Sequence, residues 1–132
     1  MSFLLDTNVC VDVLKGHPSV CARMAAVSPA DCAVSSVTAL ELASGIRRCA
    51  QPEREMKKLD RFFAVVSVLP FDLAAAAQAA KLRFDLETIG LKIGPYDLLI
   101  AGHALETRRT LVTNNTREFV RVTGLPCLDW RQ

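Results

Sequence analysis

The chain is poor in the residues that would announce many common functions. It holds one Trp, one Tyr and two His among 132 residues. With Tyr96 and Trp130 far apart, no aromatic cluster offers a platform for stacking nucleic-acid bases. The two histidines do not stand out as metal ligands or partners of a nucleophile. His17 follows a helix stop and His103 falls late in a helix, so both are expected to be structurally ordinary. No apolar run approaches the roughly 18 residues of a membrane-spanning helix. The first residues lack a basic segment followed by an apolar core, because Asp6 interrupts it, and no secretory signal is expected. Five cysteines (Cys10, Cys21, Cys32, Cys49 and Cys127) make an odd number with no CxxC spacing. That disfavours a zinc site or a disulfide framework and suits reduced thiols in a cytoplasm, all five acting as small buried hydrophobes. Neither sign of charge dominates, with 16 basic against 14 acidic residues. A net charge of +2 and a pI near 8.4 permit a polyanionic partner without arguing for one.

What is present is a compact α/β pattern. Hydrophobic residues make up 51% and charged residues 23%, in one domain expected to span 1–132. Phe3, Leu4 and Leu5 form an apolar run without alternation, as in a parallel strand buried on both faces. It ends on Asp6, followed by Thr7 and Asn8 as cap residues for a helix over 9–15, stopped by Gly16. Pro18 opens a second helix, to about 27. Strands follow at 32–34, 65–69, 111–113 and 127–129. The intervening helices run over 37–49, 52–63, 73–88, 95–106 and 116–120. In the helix over 37–49, Ala39, Leu40, Ala43 and Ile46 are expected to face inward. The alanine run at 74–77 reads as ordinary helix filler. Strands alternating with helices predict a short parallel sheet with helices on both faces. There is no internal repeat or linker.

Several acids sit where a simple surface role explains them poorly. In open α/β sheets ligands bind beyond the carboxyl ends of the strands. Asp6 lies there, although a capping role would also place an Asp at that point. Glu41 borders the apolar stripe of its helix, with small residues following on its own face, although a lone Glu there is equally read as a solvated helix residue. Asp97 shares a helical face with Ile100, Ala101 and Ala104, a stripe with no basic residue to pair with it. Buried carboxylates are seldom left unpaired. After the strand at 111–113, Asn115 can offer a carbonyl oxygen and Glu118 a carboxylate one turn later. If these acids converge, two carboxylates about 4 Å apart repel by on the order of 4 kcal/mol at an effective dielectric near 20. A shared proton would offset that; a hard divalent cation would do so better, and all-oxygen donors suit Mg2+ or Mn2+.

Four segments in order carry a family resemblance. They are Leu5-Asp6-Thr7-Asn8; Ser35-Ser36-Val37-Thr38 through Glu41-Leu42 to Gly45; Ile93-Gly94-Pro95-Tyr96-Asp97 with Ile100 to Ala104; and Leu111 through Thr113-Asn114-Asn115-Thr116-Arg117-Glu118-Phe119. The chain resembles the PIN-domain ribonucleases, in particular the VapC toxins of toxin–antitoxin pairs, and is most similar to the enteric branch that cuts initiator tRNA in the anticodon loop. The resemblance implies a PIN-like fold and metal-dependent hydrolysis of RNA phosphodiesters with Mg2+ or Mn2+. It makes Asp6, Glu41 and Asp97 the metal-holding acids, with Asp6 and Asp97 on one metal and Glu41 as a ligand or as the group orienting its water. Thr7, Asn8 and Thr113 match polar positions that orient acids or water. Many members carry a fourth acid where Asn115 stands here, so Glu118 is expected to fill part of that gap, through a water. Among the basic residues, Lys92 and Arg117 flank these segments and are the better candidates for RNA contacts. The resemblance further implies a homodimer in the cytoplasm and a VapB-type antitoxin. That antitoxin would lay a segment in a groove of the toxin, block the site with an arginine, and carry the complex to operator DNA.

Other readings remain. A metal-free PIN-fold RNA-binding or scaffold protein draws on the Asn115 departure. An aspartate-dependent phosphatase would want an acid where Asn8 stands, and a receiver domain would want paired acids earlier in the chain.

Overall fold

In the computed structural model, which describes residues 1–132, five parallel strands form one sheet in the order β3-β2-β1-β4-β5. These are β1 (Phe3–Leu5), β2 (Cys32–Ser35), β3 (Ser67–Leu69), β4 (Thr110–Val112) and β5 (Cys127–Leu128). The helices are α1 (Thr7–Lys15), α2 (Pro18–Ala25), α3 (Ser36–Arg47), α4 (Pro52–Val65), α5 (Leu73–Thr88), α6 (Pro95–Thr107) and the short α7 (Thr116–Phe119). None is long and apolar enough to cross a membrane.

The central strand explains why β1 shows no alternation. Phe3 and Leu5 point into a core shared with Val9, Val20, Leu42, Leu59, Phe62 and Trp130. Leu4, one residue out of phase, enters a second core with Leu82, Leu86, Ile100, Ala104, Leu111 and Phe119. Side chains of a strand alternate between faces, so burial on both faces demands apolar residues at every position. Register keeps the layers consistent: Leu4 pairs with Ala33 on one side and Leu111 on the other, and all three belong to the same core.

The chain first builds outward from β1 to β2 and β3, then crosses back to lay β4 on the other side of β1. The order therefore reverses between β1 and β4. A crevice opens beyond the carboxyl ends of the strands at such a point, and Asp6 and Thr113 are the residues that leave those two strands.

Several local expectations are corrected. Asp6 itself caps α1, its carboxylate accepting the Thr7 N–H at 2.8 Å, so the helix begins two residues early. Leu40 is 56% exposed, while Thr38 and Leu42 hold the inward face of α3. The helix presents Thr38 and Leu42 four residues apart, and Leu40 falls between them on the far side. Cys49 is exposed rather than buried. The alanines of α5 do more than fill a helix. Ala75 and Ala79 are buried, and Gly102 of α6 approaches so closely that an added Cβ would lie 2.7 Å from the Ala79 Cα. Only a residue without a side chain lets the two helices meet at that distance.

Candidate active site

Asp6 is 3% exposed. Besides the Thr7 N–H, its carboxylate accepts the Thr113 hydroxyl at 2.8 Å, while its own N–H donates to the Val112 carbonyl at 2.9 Å. Burial raises its pKa against the pull of those two hydrogen bonds, and the charges of Glu41 and Glu118 push it the same way. The capping and reactive readings of Asp6 are therefore compatible: the cap fixes one oxygen and leaves the group facing other acids.

Glu41 projects from the second turn of α3. Its Oε1 accepts the Thr7 hydroxyl at 2.7 Å, and Thr7 Oγ1 lies 3.1 Å from Thr38 Oγ1. Thr7 thus links the start of α1 to the acid-bearing face of α3. Asp97 stands in the first turn of α6, whose helical face continues into Ile100, Ala101 and Ala104. Its pKa is pushed up to about 7, first by burial, then by the charges of Asp6 and Glu118, by a hydrogen bond to Glu118, and by Glu41. A bond between two carboxyl groups exists only while one of them holds a proton. Glu118, on α7, accepts the Gly94 N–H at 2.9 Å through Oε1 and the Asn115 side-chain amide at 2.6 Å through Oε2.

Three helices and one strand end thus bring Asp6, Glu41, Asp97 and Glu118 within electrostatic reach. Asn115 joins as a donor: its amide nitrogen faces Glu118. Thr113, fully buried, donates to Asp6 and accepts the Asn115 N–H at 3.0 Å. Asn8 is exposed on α1 and stays outside this network. Lys92 and Arg117 are both exposed, and Arg121, just beyond α7, donates to the Lys92 carbonyl at 2.9 Å.

His103 proves less ordinary than its sequence position suggests. It is buried, its Nδ1 lies 2.8 Å from Ser35 Oγ, and its ring meets Phe71 edge to face. Ser35 caps α3, accepting the Val37 N–H at 3.1 Å, so a histidine of α6 secures the start of the helix that carries Glu41. Burial lowers the His103 pKa and keeps the ring neutral at physiological pH. Asp12, which sequence reasoning passed over, is buried on α1 and bound by Arg131 and Asn114. A lone Asp in an apolar helix gave no sign of partners more than 100 residues away.

The donor set suits a hard divalent cation. All four acids offer oxygen, the charges of neighbouring acids push both Asp6 and Asp97 upward, and excess negative charge is what such an ion neutralises. The acids do not form a closed cage, since no three His, Cys, Asp or Glu side chains are gathered closely enough to hold a metal.

The sequence matches the PIN domain family over residues 3–125. It is 38% identical to the tRNA(fMet)-specific endonuclease VapC of Shigella flexneri over 130 residues, covering 98% of both chains. The Salmonella typhimurium protein of the same name is 35% identical over 130 residues, again covering 98% of each. Among solved structures, VapBC2 from Rickettsia felis bound to a DNA fragment from its promoter superposes with a TM-score of 0.92 at 36% identity, covering 98% of this chain and 99% of that one. With that coverage, and with the four family segments meeting at one rim of the sheet, this chain belongs to the PIN domain family and, within it, to the VapC ribonucleases of toxin–antitoxin systems.

Proposed function

We propose that this chain, acting as a single domain over 1–132, is the toxin of a toxin–antitoxin pair that hydrolyses RNA phosphodiester bonds with Mg2+ or Mn2+. Its substrate is initiator tRNA, cut in the anticodon loop. The observation that carries this reading is the meeting of Asp6, Glu41, Asp97 and Glu118 at the switch point between β1 and β4, where neighbouring carboxylates push both Asp6 and Asp97 upward. The target follows from the relatives specific for tRNA(fMet).

Asp6 and Asp97 hold the cation, with Glu41 as a further ligand or as the group that orients the attacking water. A bound divalent ion lowers the pKa of that water and neutralises charge on the scissile phosphate. Thr113 fixes the second oxygen of Asp6, and Thr7 fixes Glu41, so each acid is held in one orientation. Glu118, held by Asn115 and the Gly94 N–H, fills part of the gap left where many relatives carry a fourth acid at the position of Asn115, and acts through a water. Asp97 must release its proton before it can serve. Lys92 and Arg117 contact the RNA backbone. Products carry 5′-phosphate and 3′-hydroxyl ends.

A groove of about 740 Å3 between α1, α3 and α4, lined by Val11, Leu14, Leu42 and Ile46 with Lys15, Arg54 and Lys58, contains none of these acids. It is the proposed seat of an apolar antitoxin segment, and the R. felis complex with DNA supports assembly on operator DNA through that partner. The toxin itself is proposed to be a homodimer in the cytoplasm.

The test is expression of the full chain alone, with cleaved RNA ends mapped in the presence of Mg2+, Mn2+ or chelator, beside Asp97→Asn. New 5′-phosphate ends in the anticodon loop, lost with chelator and in the variant, are expected. Wild-type rates in the variant would end the metal reading, and RNA binding without cleavage would favour a scaffold.

A further inference from the structure

The stretch after β5 is fastened to the body of the protein at several points. Trp130 is buried against Phe3, ring centroids 5.5 Å apart. The Ser19 hydroxyl donates to the Trp130 carbonyl at 2.8 Å, and Arg23 donates to the Gln132 carbonyl at 2.7 Å. Between these anchors Arg131 turns inward. Its Nε donates to Asp12 Oδ2 at 2.7 Å and its Nη2 to Asp12 Oδ1 at 2.8 Å. The side chain of Asp12 is 8% exposed and that of Arg131 49%, so the fork closes over a carboxylate that would otherwise be buried without a cation. Two parallel charge-assisted bonds give such a pair direction as well as strength.

Asp12 has one more partner. Asn114 donates to Asp12 Oδ2 at 2.9 Å. Its own side-chain oxygen is buried with no hydrogen-bond partner, so the bond to Asp12 is the side chain's tether. Asn114 lies between the two residues that aim the acids. On one side Thr113 donates to Asp6. On the other, Asn115 donates to Glu118 and its N–H reaches back to Thr113. A shift of the turn at 113–115 would therefore move both Asp6's partner and Glu118's partner together.

We propose that Arg131 is a positioning residue for RNA cleavage: through Asp12 and Asn114 it sets the turn at 113–115, and so the orientation of Asp6 and Glu118. This rests on the reading of Asp6 and Glu118 as the site's acids. Arg131 touches neither substrate nor reacting atoms, and its effect passes through one carboxylate and one amide.

The test uses the full chain with Arg131→Ala, Asn114→Ser and the double variant. In the absence of metal, hydrogen exchange at the Asn115 amide, which donates to Thr113, is measured against amides in the distant α5. Calorimetric titration with Mn2+ gives the metal affinity, and cleavage of a tRNA anticodon hairpin gives kcat and KM. Each single variant is expected to speed Asn115 exchange and to weaken Mn2+ binding about 3- to 10-fold, below the range seen when direct partners of ligands are lost. Its kcat falls with little change in KM. Because both act along one chain of bonds, the double variant should be no worse than the weaker-binding single. Arg131→Lys keeps the charge without the fork and should be intermediate. Unchanged exchange and Mn2+ affinity in Arg131→Ala, or additive losses in the double variant, would overturn the proposal. Should Arg131→Ala fail to fold, Asn114→Ser with Arg131→Lys decides it by the same readouts. A wild-type chain that cuts no RNA would sink the ribonuclease reading, while the exchange data would still judge the tether.

Discussion

Replacing Asp97 by Asn should make the metal-free protein more stable at pH 8 while abolishing cleavage. Asp97 is pushed up to about 7 by burial and by the negative charges around it. An acid whose folded pKa lies above its unfolded value near 3.9 binds its proton more tightly when folded. Folding is therefore favoured relative to higher pH while the group is protonated. That advantage is lost as pH rises from about 4 to about 7. Taken at face value the shift from 3.8 to about 7 corresponds to about 4 kcal/mol. Asp97 is only half-buried, so solvent screening reduces this to about 1–2 kcal/mol. For a chain of this size that amounts to a rise in Tm of about 3–10 °C in the variant at pH 8. The gain should vanish near pH 4, where the wild-type side chain is already neutral, and shrink at high salt. Asn can also donate to Glu118 at every pH, which the carboxylate cannot. Thermal melts of both proteins in chelator, at pH 4, 6 and 8, provide the measurement. Added Mg2+ should reverse the order by stabilising wild type alone. A variant that melts below wild type at pH 8 by the same margin as at pH 4 would refute the claim that Asp97 is electrostatically strained.

Metal affinity should rise with pH through about 7, because Asp97 must lose its proton to bind; calorimetry between pH 5.5 and 8.5 would show this, with proton release on binding at the lower end. Asp6→Asn should lower cleavage at least about 100-fold while leaving the cap on α1 largely intact, since Asn caps nearly as well as Asp; circular dichroism beside the RNA assay separates the two effects. Gly102→Ala should destabilise by about 2 kcal/mol or more through the clash with the Ala79 backbone, measured by urea unfolding. His103→Ala should cost about 1–3 kcal/mol by leaving Ser35 short of a partner and opening a cavity beside Phe71, seen in the same assay.

Much was legible along the chain because it depends on neighbours in sequence. The unbroken Phe3-Leu4-Leu5 run required a strand covered on both faces, Gly16 and Asp72 marked helix ends that the structure has in place, and the alternation of strands with helices fixed a parallel sheet. Asp6 was marked by its place at the end of an apolar strand, Glu41 by the edge of an apolar stripe and Asp97 by a place on one. What decided the rest lies across space. That Thr113 rather than another hydroxyl holds Asp6, that His103 braces the helix of Glu41, that Gly102 exists for Ala79, and that Arg131 reaches Asp12 all depend on partners 23 to 119 residues apart. Periodicity reports which face of an element turns inward; only packing determines what that face meets.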